Sequence, residues 1–330
     1  MRFFPGGNTA AGFCSRFGGI LPEPRRTVCL KGGPGVGKSS LMKRVAAAHE
    51  AKGRNVEYYH CSSDPDSLDA IAVPELGFMM LDGTAPHVID PTLPGARDEI
   101  VNLGIFLDVD ALRPRTEEIT RLSREIAGRF ERAYGFLAAA ANVRDAACRG
   151  EPKPQAVASL TRELAERLPL RGGYGSAREL FAEAHTPKGL VSLLDSLPRD
   201  TVFAVDTPFG CSADTLLRSF AQAAQSRGLN VVLLLDPLRP ERLAHVAIPA
   251  HGVLLTTSAP PDAERVDGLF ELSEAREESF DRNAFELLLL RATEQLRCAK
   301  SLHDALESVY TPAMDFLRWE AVAQSFLPTD

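Results

Sequence analysis

The stretch Thr27-Val28-Cys29-Leu30-Lys31-Gly32-Gly33-Pro34-Gly35-Val36-Gly37-Lys38-Ser39-Ser40-Leu41 decides the fold. Thr27 to Leu30 is a short apolar run suited to a buried strand, and Leu41 to Ala48 has the spacing and residue types of a helix. Between them, Gly32-x-x-x-x-Gly37-Lys38-Ser39 fits the P-loop pattern. In that arrangement successive backbone N–H groups and the positive end of a helix surround phosphate oxygens, and glycine permits the close approach. The expected phosphate cradle is Gly32, Gly33, Pro34, Gly35, Val36, Gly37, Lys38, Ser39 and Ser40. Lys38 reaches the β- and γ-phosphates, and the Ser39 hydroxyl takes a place on Mg²⁺. The bland alternative is a glycine-rich turn that merely joins strand to helix. A dinucleotide fingerprint needs a third glycine where Lys38 stands.

Outward from the loop, Lys52-Gly53 ends the helix, Asn55 to His60 reads as a second strand, and Gly77 to Asp82 as a third. These apolar runs suit a parallel sheet buried on both faces. Asp82 follows four apolar strand residues, the position of a carboxylate that supports the metal at a sheet's carboxyl edge, although Asp82-Gly83 is also a common turn pair. Asp64 closes His60-Cys61-Ser62-Ser63-Asp64 at the same edge, either orienting the attacking water or an acceptor, or capping a loop beside Pro65. Asp66 and Asp69 read as solvated loop or cap residues, and His87 as a phosphate sensor or a structural hydrogen-bonding group.

From about 115 to 148 the apolar positions Ile119, Leu122, Ile126, Phe130, Ala133, Leu137 and Ala141 recur at helical steps. A second helix follows through Leu160, Leu164 and Leu168, and Arg171-Gly172-Gly173-Tyr174-Gly175-Ser176 reads as a linker. Shifting the chain against itself by about 175 residues aligns a second copy. Gly53 to Val56 then meets Gly228 to Val231, Pro74 meets Pro249 and Gly77 meets Gly252. A helix through Phe285, Leu296 and Val309 answers the first long helix, with Thr311-Pro312 opening its partner. The expectation is therefore α/β, with tandem duplicated P-loop NTPase-like parallel sheets, each followed by a helical pair, in domains 1–171 and 172–330. In the second copy Ala213 stands for Lys38, Asp214 for Ser39, Thr257 for Asp82 and Arg239 for Asp64. The whole phosphate and metal set is missing together, so the second half reads as a degenerate copy, with Arg239 a candidate arginine finger toward the first.

Composition limits the alternatives. The 330 residues carry 44 acidic and 37 basic side chains, a formal net charge of −7, so nothing draws the whole chain to nucleic acid or anionic lipid. Six scattered cysteines without a Cys-x-x-Cys pair suit a reducing, cytoplasmic setting, and no apolar run approaches a membrane span. The seven histidines show no zinc spacing.

Several strings extend the likeness beyond the loop: Phe4-Pro5-Gly6-Gly7-Asn8-Thr9, Lys31 to Leu41, His60 to Asp69, and Leu81-Asp82-Gly83-Thr84-Ala85-Pro86-His87. Through them the chain resembles a family of uncharacterised bacterial predicted ATPases with two tandem P-loop halves. The resemblance implies nucleotide binding without supplying a substrate, and the second half departs from it at Asp206 to Asp214. The expected function is an ATP- and Mg²⁺-binding NTPase whose first half hydrolyses nucleotide through Lys38, Asp82 and Asp64, with Ser39 and Asp82 on the metal. Its second half regulates or binds a protein partner. The alternatives are a small-molecule or nucleotide kinase with an acceptor near Ser62, Ser63, Asp64 and His87, and a nucleotide-gated interaction protein with negligible turnover.

Overall fold

The computed structural model describes residues 1–85, 88–258, 260–272 and 279–328. The chain opens with Arg2–Phe3 (β1) and a hairpin of Gly6–Thr9 (β2) and Gly12–Ser15 (β3), followed by Arg26–Lys31 (β4) and the helix Lys38–Ala51 (α1). Glu57–Cys61 (β5), Asp64–Val73 (β6), Phe78–Asp82 (β7) and Asp98–Asn102 (β8) complete the first sheet. A short helix Val109–Leu112 (α2), the long helix Thr116–Ala146 (α3), Gly150–Pro152 (β9) and Pro154–Glu166 (α4) follow. The pattern then recurs: Ala177–Leu180 (β10), Glu183–Thr186 (β11), Gly189–Ser192 (β12), Thr201–Val205 (β13), Asp214–Ser226 (α5), Val231–Leu235 (β14), Leu243–Ile248 (β15) and Val253–Thr256 (β16). Glu264–Val266 (β17), Phe270–Leu272 (β18), Ser279–Tyr310 (α6) and Phe316–Ser325 (α7) close the chain.

Both large sheets have six strands, in the orders β1-β5-β6-β7-β4-β8 and β10-β14-β15-β16-β13-β17, which correspond strand for strand. Neither is purely parallel, which corrects the expectation from sequence. β4 lies parallel to β7 and β8, but β6 runs antiparallel to both β5 and β7, and β15 does the same between β14 and β16. The reason is chain length. Only Ser62-Ser63 separate β5 from β6, whereas a parallel crossover needs about a dozen residues or more. The return from β6 to β7 is a short turn in which Gly77 sits at φ 62°, and Gly252 occupies the matching turn at φ 58°.

The sheets stack face to face. Phe3, Cys29, Tyr59, Ala70 and Leu81 of the first form one apolar cluster with Leu180, Val202, Val232 and Leu254 of the second. At its margin Arg178 reaches Glu57 at 2.7 Å and the Tyr59 hydroxyl at 3.2 Å. The hairpin β2–β3 joins β11–β12 in a four-stranded sheet through Asn8 opposite His185. Helices cover the outer faces, and they cross over in doing so. On the first sheet, Leu41, Met42 and Val45 of α1 pack with Trp319 and Ala323 of α7. On the second, Leu216 and Phe220 of α5 pack with Val157 and Leu164 of α4. The long helices pair with each other: Leu122 meets Leu306, and Leu137 meets Ala292, so α3 and α6 run antiparallel. Each half therefore supplies a helix to the other's core. The Thr311-Pro312 signal opens only a 3₁₀ turn, and α7 is instead capped by Asp315, whose carboxylate accepts from the N–H groups of Leu317 and Arg318.

Candidate functional site

β4 delivers the chain to the glycine loop at the carboxyl edge of the first sheet, and α1 leaves it. Gly35 and Gly37 have φ of 72° and 84°, the left-handed region that side chains with a Cβ rarely enter. Gly37 is also the N-cap of α1, so the amides of Lys38, Ser39 and Ser40 have no intrahelical acceptor. Among the described residues, no backbone N–H of Gly33, Gly35, Val36, Gly37, Lys38, Ser39 or Ser40 donates to another protein atom. Seven donors are thus gathered at the positive end of one helix, the arrangement that suits an oxyanion.

Lys38 lies along this loop. Its ammonium donates to the carbonyls of Gly32 at 2.9 Å and Gly33 at 2.8 Å, and stands 3.5 Å from Asp82 Oδ2. Asp82 anchors the turn that its sequence context allowed and also faces the lysine. Its Oδ1 accepts from the amide and hydroxyl of Thr84, anchoring the turn, while Oδ2 faces Lys38. The Ser39 hydroxyl accepts from the Leu68 amide at 3.0 Å, fastening α1 to β6. Lys38, Ser39 and Asp82 are therefore brought together. Asp64 has partners of its own: Ser67 Oγ donates to it at 2.8 Å, and Lys300 of α6 approaches to 3.5 Å.

Asp69 overturns the solvated-loop reading. It is 5% exposed, within β6, and burial followed by the negative charge of Asp82 raises its carboxyl to about 7, while Lys38 and a hydrogen bond with Cys61 pull the other way. The available signal was a lone aspartate in the apolar run from Leu68 to Val73, hidden by the acidic, proline-containing stretch before it. Asp66 does remain at the surface, bonded to Lys188. His60 is structural, with Nδ1 on the Pro65 carbonyl at 2.8 Å, Nε2 on Arg2 at 2.9 Å, and burial lowering its pKa. Ser62 is buried, and His87 lies outside the described residues.

The far side of the loop is lined by the second half of the chain. A Cβ added to Gly33 would meet the Tyr310 ring at 3.4 Å, one on Gly35 the Thr311 hydroxyl at 2.7 Å, and one on Gly37 Trp319 Nε1 at 2.9 Å. Sequence reading found none of these neighbours. At the corresponding loop of the second half, a Cβ on Gly210 would meet the Arg144 carbonyl at 2.4 Å, so α3 ends there as α6 ends at Gly35. Asp214 accepts from the Leu243 amide at 2.8 Å, the counterpart of the Ser39 bond to Leu68. Ala213 is buried where the lysine would be. Arg239 is not a finger toward the first loop: it is held by Asp145 and Asn142 of α3 at 2.7 and 2.8 Å.

Among the described residues no helix is long and apolar enough to cross a membrane. A family model described as an AAA domain (dynein-related subfamily) matches residues 27–71, from β4 through most of β6. The match and the strand–loop–helix geometry support a P-loop ATPase assignment with nucleotide binding. It stops short of Asp82 and covers nothing of the second half. No curated protein and no solved structure matches the chain.

Proposed function

We propose that the first half binds Mg²⁺-ATP at the glycine loop and hydrolyses it, and that the second half is a degenerate copy which packs and regulates. The observation that carries the reading is the set of unpaired amides from Gly33 to Ser40 at the start of α1, with Lys38 and Asp82 within 3.5 Å of each other beside them. In this reading the amides hold phosphate oxygens, and Lys38 leaves its loop carbonyls for the β- and γ-phosphates. Ser39 and Asp82 suit Mg²⁺ because both offer hard oxygens: Asp82 Oδ2 is not used by Thr84, and the Ser39 oxygen has accepted only one N–H. Bound there, the ion would neutralise charge on the phosphates. Asp69 is a better proton acceptor than the expected Asp64, since its pKa of about 7 lies near neutrality while Asp64 is occupied by Ser67 and Lys300.

The duplicate reading rests on the matching strand orders and on the Asp214–Leu243 bond, which keeps the structural half of what Ser39 does. The gated-interaction alternative is favoured by one feature, the Lys300–Asp64 pair, which links the site to a helix of the other half. Calorimetry of ATP with wild type and Lys38→Ala, with Mg²⁺ or EDTA, tests binding. Loss of the lysine is expected to weaken affinity about tenfold or more, since it removes hydrogen bonds to charged oxygens. Equal affinity in both proteins would refute the site. Phosphate release assays then separate an ATPase from a protein that binds without turnover.

A further inference from the structure

Trp319 sits in α7, on the opposite half of the chain from the loop it touches. Its side chain is 9% exposed and packs with Leu41 and Met42, yet its Nε1 is buried without a hydrogen-bond partner. Buried donors are nearly always satisfied, so an indole N–H left this way marks a place where an acceptor belongs. That N–H lies against Gly37, the residue that starts α1, 2.9 Å from where a Cβ would stand. It therefore lies beside the end of the loop whose amides are unpaired, and all of these groups are donors. An oxyanion satisfies them together; a cation or a hydrogen-bond donor satisfies none.

The position of the ring is not left to chance. Arg44 of α1 grips Glu320, the next residue of α7, through two bonds of 2.6 and 2.7 Å, and Asp315 caps the same helix. The segment leading into α7 lies along the loop as well, with Tyr310 at Gly33 and Thr311 at Gly35. We infer that the segment from Tyr310 to Trp319 is part of the phosphate site, and that the Trp319 indole N–H is a hydrogen-bond donor to the bound phosphate chain. This rests on the nucleotide reading above and extends it: the second half completes the first half's site.

Trp319 is the single tryptophan, so its emission reports this position alone. The test titrates the full chain with Mg²⁺-ADP, pyrophosphate and adenosine, by calorimetry and by tryptophan emission, and repeats the calorimetry with Trp319→Phe. That variant keeps an aromatic ring and removes the N–H, and its melting temperature without ligand checks the fold. The expected result is a change of wild-type emission with ADP and pyrophosphate, and affinity for both lowered roughly ten- to a hundredfold in the variant. Adenosine leaves the emission unchanged. If wild type binds pyrophosphate with unchanged emission, or if the variant binds it equally well, the indole assignment falls and the glycine-loop reading stands. An effect on adenosine alone also overturns it, pointing to base stacking. Failure of wild type to bind ADP or pyrophosphate refutes both readings. Should the variant not fold, the wild-type emission with pyrophosphate decides.

Discussion

Replacing Asp69 by asparagine isolates the most strained charge near the loop. Its carboxyl is raised from the ordinary 3.8 to about 7, first by burial and then by the neighbouring Asp82. Because the folded value lies above the unfolded one, the folded protein keeps a proton that the unfolded chain releases. The stabilising contribution is complete below about pH 3.8 and disappears as the pH rises through about 7. At about 1.36 kcal/mol for each tenfold change, the full span is worth about 4 kcal/mol, an upper figure because the buried site can relax. Asparagine carries no charge at any pH. Asp69→Asn is therefore expected to be more stable than wild type at pH 8 by up to about 4 kcal/mol, with the gap narrowing steadily toward pH 4. Urea denaturation of both proteins at pH 8, 7, 6 and 5 measures it, and groups common to both cancel in the difference. A gap that does not vary with pH refutes the argument, for it would mean that Asp69 is an ordinary ionised partner of Lys38. If the more stable variant also loses hydrolysis while retaining nucleotide affinity, the strain is maintained for proton transfer.

The paired first-turn residues allow a cleaner comparison. Asp214→Ala and Ser39→Ala each remove one side-chain acceptor from a strand amide and are expected to cost about 1–2 kcal/mol in denaturation. Only Ser39→Ala is expected to weaken Mg²⁺-dependent ATP binding; an equal loss in Asp214→Ala would contradict the inert reading of the second loop. Cys148 at the end of α3 and Cys211 in the second loop are free thiols whose sulfurs stand 2.7 Å apart. Oxidised glutathione is expected to couple them by two exchange steps, releasing two glutathione thiols and leaving the protein two hydrogens lighter by mass. The same coupling in Cys148→Ser would disprove this pairing.

The loop, its lysine and the Asp82 edge were legible because their requirements are local. A glycine spacing, a lysine at a fixed offset and an apolar run ending in aspartate each express a backbone constraint within about ten residues. The long helices were legible for the same reason, since their apolar repeat records a continuous buried stripe. β6 was not. Asp64-Pro65-Asp66 has the composition of a loop, and the segment becomes a strand because β5 and β7 satisfy its backbone on both sides. Asp69 was misread with it, for its burial depends on that pairing. Tyr310, Trp319 and Lys300 were invisible as neighbours of the first half for a different reason: Tyr310 and Trp319 reach the loop, and Lys300 reaches Asp64, across more than 230 positions of chain, and no local pattern encodes a contact at that separation.

The crossing of the helices gives this distance a physical consequence. α3 leaves the first sheet and ends against Gly210 of the second loop, while α6 leaves the second sheet and ends against Gly35 of the first. The two helices are packed antiparallel along shared apolar stripes, and each is followed by a shorter helix that covers the other half's sheet. A displacement at the first loop is thus met directly by the end of α6, and α6 cannot shift along its axis without disturbing α3, whose end is tied to the β14–β15 connection by Asp145 with Arg239 and Arg242. Close packing transmits such shifts rather than absorbing them. The second half holds the far end of the packed helix pair that touches the first half's loop. Asp214, Arg239 and Gly210 are among the contacts that hold that far end, through the Leu243 amide, Asp145 and the end of α3.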